Sequence, residues 1–254
     1  MRALRAAFLV VLVAVAALAA AREVRAQNIA RTYVMAPAPG QGQAFEKALT
    51  AHARWRAQAG DPWNWAVYQV VDGESLGSFV VRSGGHTWAD FDAYDAGFGQ
   101  QGDARFNADV GPLLAHISSS ITQEDTTLAR MPEGPEGYNL VHVTHYHVKP
   151  EQGQAFHALL GKIHKAIVDS DWPVYYVFAN TVSGPDGQSV IMAGFHDSWA
   201  DFAEPDPSFD RMLAGTYGEE EAGKMMKSFG DAVWGWDSMT LRFRPDMSVM
   251  HESN

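Results

Sequence analysis

Two copies of one segment, separated by 111 positions, constrain the fold of this chain more than any other feature of its sequence. The segment Pro39–Phe45 has the sequence PGQGQAF, and Pro150–Phe156 has the sequence PEQGQAF. The motif WADF occurs at the same offset, at Trp88–Phe91 and at Trp199–Phe202. Two ungapped matches at one offset indicate an internal duplication. The sequence therefore predicts two equivalent repeats rather than one large domain.

The N-terminal segment has the organisation of a secretory signal peptide. Arg2 and Arg5 precede an uncharged run from Ala6 to Ala21, which is shorter than the ~20 residues that span a membrane. Small residues before Gln27 are typical of a cleavage site. We expect residues 1–26 to be removed from a periplasmic or secreted protein. A membrane anchor is the alternative.

Composition excludes several classes of function. The chain has no cysteine, so disulfides, a lipid-modified cysteine and thiolate chemistry are ruled out. The chain has 19 basic and 30 acidic side chains. Removal of residues 1–26 would leave 15 basic and 29 acidic side chains, which gives a formal charge of −14. Nucleic acids and anionic membrane surfaces favour basic partners. We expect a small-molecule ligand, no nucleic acid, no stable membrane association after cleavage, and pairing with a further copy as an option.

Both repeats show the same predicted order of elements, β-α-β-β-α-β. Thr87 with Asp90 forms a capping box before the second helix of repeat 1, and Ser198 with Asp201 does so in repeat 2. The glycine-rich residues 97–102 predict a break in the helical region. The predicted units are residues 1–26 (signal peptide), 27–130 (repeat 1), 131–138 (linker), 139–244 (repeat 2) and 245–254 (a loose tail).

The predicted strands carry apolar side chains on both faces, as in Trp63–Tyr68 and Val174–Ala179. A sheet with one solvated face would alternate apolar and polar residues instead. We therefore expect each sheet to be covered on one side by its own helices and on the other by the sheet of the other repeat.

This combination resembles the dimeric α+β barrel superfamily of ferredoxin-like domains. Its branches include the antibiotic-biosynthesis monooxygenase-like, NIPSNAP-like, EthD-like and haem-binding chlorite dismutase types. The resemblance covers about residues 29–244 and depends on element order and duplication. It implies an α+β fold in which two tandem ferredoxin-like repeats form an intramolecular α+β barrel pseudo-dimer. It also implies, by analogy, a monooxygenase-like oxidation without a bound cofactor; fold alone does not decide function.

His52 and Arg56 interrupt the apolar face of the first helix of repeat 1. The matching positions in repeat 2 are Ile163 and Ile167. A buried charge needs a partner, so these side chains are predicted to face a pocket, solvent or a carboxylate. As catalytic candidates, Arg56 would hold an anionic group and His52 would transfer a proton. The alternative is a rotated helix that exposes both.

Three further groups of residues are candidates. His145 and His147 share one face of a strand and are the candidate metal ligands, although no third ligand is evident. His164 or His157 is the candidate axial ligand for haem. Strand aromatics are predicted either to line an apolar ligand cavity or to form ordinary core; the candidates are Trp65, Tyr68 and Tyr176.

Gly73–Gly77 matches G-x-S-x-G, but it joins two strands, so a serine nucleophile is not expected. The sequence thus leaves three hypotheses: an enzyme or binder acting on an apolar or aromatic molecule, a haem or metal protein, and a non-enzymatic assembly module. It identifies no cofactor.

Overall fold

A computed structural model describes residues 28–131, 138–185, 187 and 189–251. The predicted signal peptide and most of the predicted linker lie outside these residues. Repeat 1 contains β1 Ile29–Pro37, α1 Gly42–Ala59, β2 Ala66–Gly73, β3 Phe79–His86, α2 Trp88–Ala96, α3 Phe98–Asp109 and β4 Leu114–Arg130. Repeat 2 contains β5 Leu140–Val148, α4 Gly153–Asp169, β6 Tyr176–Ser183, β7 Val190–His196, α5 Phe209–Tyr217, α6 Glu219–Ala232 and β8 Val233–Phe243.

The eight strands form one closed antiparallel barrel in the order β1-β3-β2-β8-β5-β7-β6-β4. Each repeat contributes four consecutive strands, and the repeats join where β2 pairs with β8 and β4 pairs with β6. These junctions leave neither sheet with a free edge, which removes the tendency of edge strands to aggregate. The predicted tandem ferredoxin-like barrel is confirmed.

Three apolar clusters explain why the strands are apolar on both faces. The barrel interior holds Val70, Val80, Val141 and Leu241, which come from both repeats. A second cluster lies between the sheet and helices of repeat 1, and a third lies between those of repeat 2. The helices therefore cover the outside of the barrel, and the two sheets face each other across its interior, as predicted.

Local signals set the helix ends. Both predicted capping boxes are present, although the one at Ser198 starts a short 3-10 turn, Trp199–Phe202, rather than an α-helix. Helix α1 ends at Gly60, whose φ of 77° is left-handed; the residue 111 positions later, Asp171, has a φ of 50°. The duplication thus extends to backbone conformation.

Two local predictions need correction. The predicted break over residues 97–102 is confined to Gly97, whose non-helical backbone separates α2 from α3, because α3 runs through Gly99 and Gly102. A Cβ at Gly99 would meet the backbone oxygen of Tyr94 at 2.8 Å, so glycine there permits close packing of α3 against α2. Nor is the C-terminal segment loose over residues 245–251, because Met247 and Val249 are buried in the core of repeat 1.

In the part of the chain that the structure describes, no helix is both long enough and apolar enough to cross a membrane.

Candidate functional site

Repeat 2 contains a cavity of about 930 Å³ between helix α4 and the outer face of its sheet. That volume lies near the upper end of the range for small-molecule sites, about 300–1,000 Å³. Its wall is mostly aromatic and aliphatic, and its apolar lining residues include Tyr146, Ile163, Ile167, Trp172, Tyr176, Phe178, Met192, Phe195, Phe202 and Phe229.

Two histidines face this apolar cavity from neighbouring strands. In the β5–β7 ladder, His142 pairs with Gly194 and Leu140 pairs with His196, so both imidazoles lie on the helix side of the sheet. Gly194 lies between them, and a Cβ built there would be 3.5 Å from Nε2 of His196. The absence of a side chain at Gly194 therefore keeps the space between the two rings open.

His142 is held in one orientation by Thr240. Its Nδ1 lies 3.2 Å from the Thr240 hydroxyl, which is buried, while no described residue bonds to its Nε2. Burial, and after it the charge of His196, lower the pKa of His142 below the usual value for histidine. His142 is therefore neutral at pH 7 and has a nitrogen available to a ligand.

The mouth of the repeat 2 cavity is acidic. Its exposed rim includes the carboxylates Asp197, Asp201 and Glu204, and no described residue lining the cavity is a lysine or an arginine. This charge disfavours an anionic ligand and tolerates a neutral or cationic one.

Repeat 1 holds a second cavity, of about 260 Å³, with a polar wall. His52 and Arg56 both line it, as the interrupted apolar face predicted. Arg56 is paired with Asp61, whose carboxylate is 1% exposed and lies 2.5 Å from the guanidinium. Asp61 also accepts hydrogen bonds from the Trp65 indole and the Tyr94 hydroxyl. The carboxylate that a buried arginine requires is therefore supplied from within the repeat.

The protonation state of His52 follows from its neighbours. Burial, and after it the charge of Arg56, lower the pKa of His52 to about 4. The Arg56 Nε–H donates to Nε2 of His52 at 2.8 Å, so the neutral ring carries its proton on Nδ1. That Nδ1 is buried and has no hydrogen-bond partner among the described residues.

The three aromatic candidates lie in three different places. Trp65 lines the repeat 1 cavity, and Tyr176 lines the repeat 2 cavity. Tyr68 packs against the apolar cluster of the barrel interior, with its ring 5.4 Å from that of Phe243. The structure therefore does not bring them together into one site.

The metal candidates His145 and His147 face the barrel interior near Asp237, which lies 2.9 Å from Nε2 of His147. The described residues contain no group of three or more histidine, aspartate or glutamate side chains placed to hold a metal. The two histidines remain a sequence prediction without geometric support.

The haem candidates do not reach the repeat 2 cavity. His157 is exposed and bonds to Asp125 at 2.7 Å, and His164 bonds to the Tyr176 hydroxyl at 2.8 Å; neither lines the cavity. His142 and His196 do line it, but haem carries two anionic propionates, and the charged side chains that line this cavity are all carboxylates. The described lining therefore offers haem two histidines but no cationic partner for its propionates.

Sequence reasoning missed His142 and His196 as a pair, and it missed the cavity itself. The signal was present in the repeat comparison. Repeat 1 has Trp63 and Tyr94 where repeat 2, 111 positions later, has Val174 and Pro205. Trp63 and Tyr94 stack at 4.0 Å and fill the space, whereas Val174 and Pro205 line an open cavity.

No protein-family profile matches the chain, and no curated protein sequence matches it. Several solved structures, however, superpose on the chain. A candidate monooxygenase from Lactobacillus acidophilus NCFM superposes with a TM-score of 0.55 at 11% identity, over 88% of this chain and 96% of its own. An anthrone oxidase-like protein superposes with a TM-score of 0.55 at 14% identity, over 86% and 92%.

A mutant chlorite dismutase from Candidatus Nitrospira defluvii superposes with a TM-score of 0.51 at 12% identity, over 86% of this chain and 92% of its own. At these identities the similarity concerns the fold and not the activity. The chain therefore has the dimeric α+β barrel fold, with both ferredoxin-like units on one polypeptide.

Proposed function

We propose that the mature, exported protein binds a flat, largely aromatic small molecule in the repeat 2 cavity and oxidises it with molecular oxygen. The observation that carries this proposal is the placement of two histidines, His142 and His196, on the wall of an apolar cavity of about 930 Å³. An apolar pocket with a few convergent polar groups is typical of a small-molecule site.

The chemistry proposed for His142 is proton removal from the ligand. His142 lines the cavity, its Nε2 has no partner among the described residues, Thr240 holds its Nδ1, and its lowered pKa keeps it neutral. A neutral imidazole within reach of an acidic C–H or O–H is a suitable general base. The resulting delocalised carbanion donates electrons to oxygen, so the ligand itself is the reductant.

Anthrone is the probe suggested by this chemistry and by the anthrone oxidase-like protein of similar fold. Its methylene is acidic because the negative charge delocalises onto the ketone oxygen. Conversion to anthraquinone consumes one O₂, replaces the two methylene hydrogens by one oxygen atom, and releases the other oxygen atom as water. Anthrone is also neutral, which suits the acidic mouth formed by Asp197, Asp201 and Glu204.

The experiment is to titrate the protein from Gln27 onwards with anthrone without oxygen, and then to follow anthraquinone formation in air. The test variant is His142→Asn, whose amide can keep the bond to Thr240 while Nε2 is lost. We expect anthrone affinity within about twofold of wild type and an oxidation rate reduced about 100-fold, the usual size of a general-base contribution.

The control is His157→Asn, since His157 is an exposed histidine outside the cavity. Its oxidation rate should equal that of wild type. Saturable binding with no oxidation above the buffer rate would support the non-enzymatic alternative, a binding protein. Failure of anthrone, and of a neutral tricyclic panel, to bind at all would refute the proposal.

A further inference from the structure

We infer that repeat 1 carries a second, independent ligand site, and that this site takes a small planar carboxylate about the size of one aromatic ring. The site is the cavity of about 260 Å³ between α1 and the outer face of the repeat 1 sheet. No described residue lines both this cavity and the repeat 2 cavity. Binding at one site therefore does not require binding at the other.

The first observation is an unmade hydrogen bond. His52 is 4% exposed, lines the cavity, and has a buried Nδ1 without a partner among the described residues. Because Nε2 accepts from Arg56, Nδ1 carries the hydrogen and can only donate. Leaving a buried donor unsatisfied is costly, so a ligand oxygen that accepts from it would gain binding free energy.

The second observation is the charge of the wall. Among the described lining residues, Arg31 and Arg56 are cationic and Asp103 is anionic. Asp61 already matches Arg56 at 2.5 Å, whereas the nearest carboxylate recorded for Arg31 is the exposed Asp95 at 3.7 Å. Arg31 also lies over the Phe91 ring at 4.7 Å, but its charge is matched by a carboxylate less closely than that of Arg56, so it is the cation that a carboxylate ligand would contact.

The third observation is the shape of the wall. Tyr33, Trp65 and Phe106 contribute ring surfaces, and Met247 with Val249 close the cavity from the C-terminal segment. Its volume lies just below the range of about 300–1,000 Å³ typical of drug-sized ligands. A single ring bearing a carboxylate matches this combination of flat apolar walls, one donor and one cation.

The probe is benzoate, with benzamide as its neutral counterpart of the same shape. We would titrate both into the mature chain, labelled with nitrogen-15 at histidine, and follow the imidazole resonances of His52. We expect saturable shifts with benzoate. Arg31→Gln should weaken benzoate by about tenfold, as loss of one charge-assisted contact implies, and change benzamide less than twofold.

His52→Gln is the decisive variant, because its amide oxygen can still accept from Arg56 while the Nδ1–H donor is lost. We expect benzoate binding to weaken about tenfold with the melting temperature retained, and His157→Gln to bind like wild type. Unchanged benzoate affinity in His52→Gln would overturn the inference. So would the absence of saturable shifts at millimolar benzoate, which would mean that water alone satisfies Nδ1.

Discussion

The two repeats share a fold and an ancestral sequence, but they fill the space between helix and sheet in opposite ways. In repeat 1, Trp63 is stacked between His86 at 3.8 Å and Tyr94 at 4.0 Å, and most of β3 is buried. In repeat 2, every residue of β7 is only half-buried, and a cavity more than three times larger lies beside it. Bulky aromatic side chains thus fill the space between helix and sheet in repeat 1, and their smaller counterparts leave that space open in repeat 2.

Buried polar groups, in contrast, are concentrated in repeat 1. Repeat 1 buries a connected network of His52, Arg56, Asp61 and Tyr94, whose matching residues in repeat 2 are Ile163, Ile167, Trp172 and Pro205. Repeat 2 instead places single imidazoles on an apolar wall. The two copies therefore differ in kind: one contains a small polar cavity and the other a large apolar one.

The largest effect is expected at the centre of the repeat 1 network. Asp61→Asn removes the charge that balances Arg56, so we expect the free energy of unfolding to fall by about 3–5 kcal/mol. The control is Asp171→Asn in repeat 2, which alters an exposed ion pair with Arg130 and should cost about 0–1 kcal/mol. Urea unfolding measures both; equal losses would show that the two repeats do not differ in this way.

The C-terminal segment should stabilise repeat 1. Met247 is 1% exposed in the core of repeat 1, so Met247→Ala should cost about 2–5 kcal/mol. Met250→Ala, at an exposed position in the same segment, should change stability by less than about 0.5 kcal/mol. Thermal and urea unfolding distinguish these outcomes, and a Met247→Ala protein as stable as wild type would contradict the described packing.

Filling the repeat 2 cavity should make it resemble repeat 1. Val174→Trp introduces the residue found at the matching position, Trp63, and should weaken anthrone binding by at least about tenfold, or 1.4 kcal/mol. Val168→Trp makes the same substitution on the exposed side of α4, outside the cavity, and should leave anthrone affinity unchanged. Benzoate binding in repeat 1 should be the same in both variants, as calorimetry would show.

The last effect concerns pH and is spread over several pH units. The native pKa of His52 is about 4 and its unfolded value is 6.5, so the unfolded chain binds the additional proton between these values. Stability is therefore greatest above pH 6.5 and falls on acidification, by at most about 1.4 kcal/mol per pH unit from this group. His52→Gln should remove that part of the slope in urea unfolding at stepped pH.

Three other histidines act in the same direction, because burial also lowers the pKa values of His86, His142 and His164. The free energy of unfolding of the wild-type protein therefore depends on pH more steeply than His52 alone would cause. The contribution of His52 is the difference between the slopes of wild type and His52→Gln. Identical slopes in the two proteins would show that the native pKa of His52 is not lowered from its unfolded value.

Much of the fold was predictable because it depends on local patterns. The repeated PxQGQAF and WADF segments, the capping boxes at Thr87 and Ser198, and the strands with two apolar faces all have short-range causes. The site was predictable in part. The interruption of the α1 stripe indicated that His52 and Arg56 needed a polar environment, and the structure supplies it through Asp61.

The pairing of Asp61 with Arg56 also determines which substitutions can test a role of His52 and Arg56 in ligand binding. Replacing both His52 and Arg56 by isoleucine, as in repeat 2, would leave the Asp61 carboxylate buried without its ion-pair partner. Loss of binding in that variant would be confounded by loss of stability. Neither the pairing nor this consequence is visible in the sequence, since a helix face does not reveal what packs against it.

The sequence by itself determined the duplication, the order of elements in each repeat and the burial of both sheet faces, because these depend on periodicity and on short motifs. Only the tertiary structure decided where the cavities lie. A cavity exists where side chains from distant segments fail to meet, as Val174, Pro205 and Gly194 do around His142 and His196. Only the tertiary structure decided the place of the C-terminal segment as well. This segment packs on repeat 1 because β8 pairs with β2.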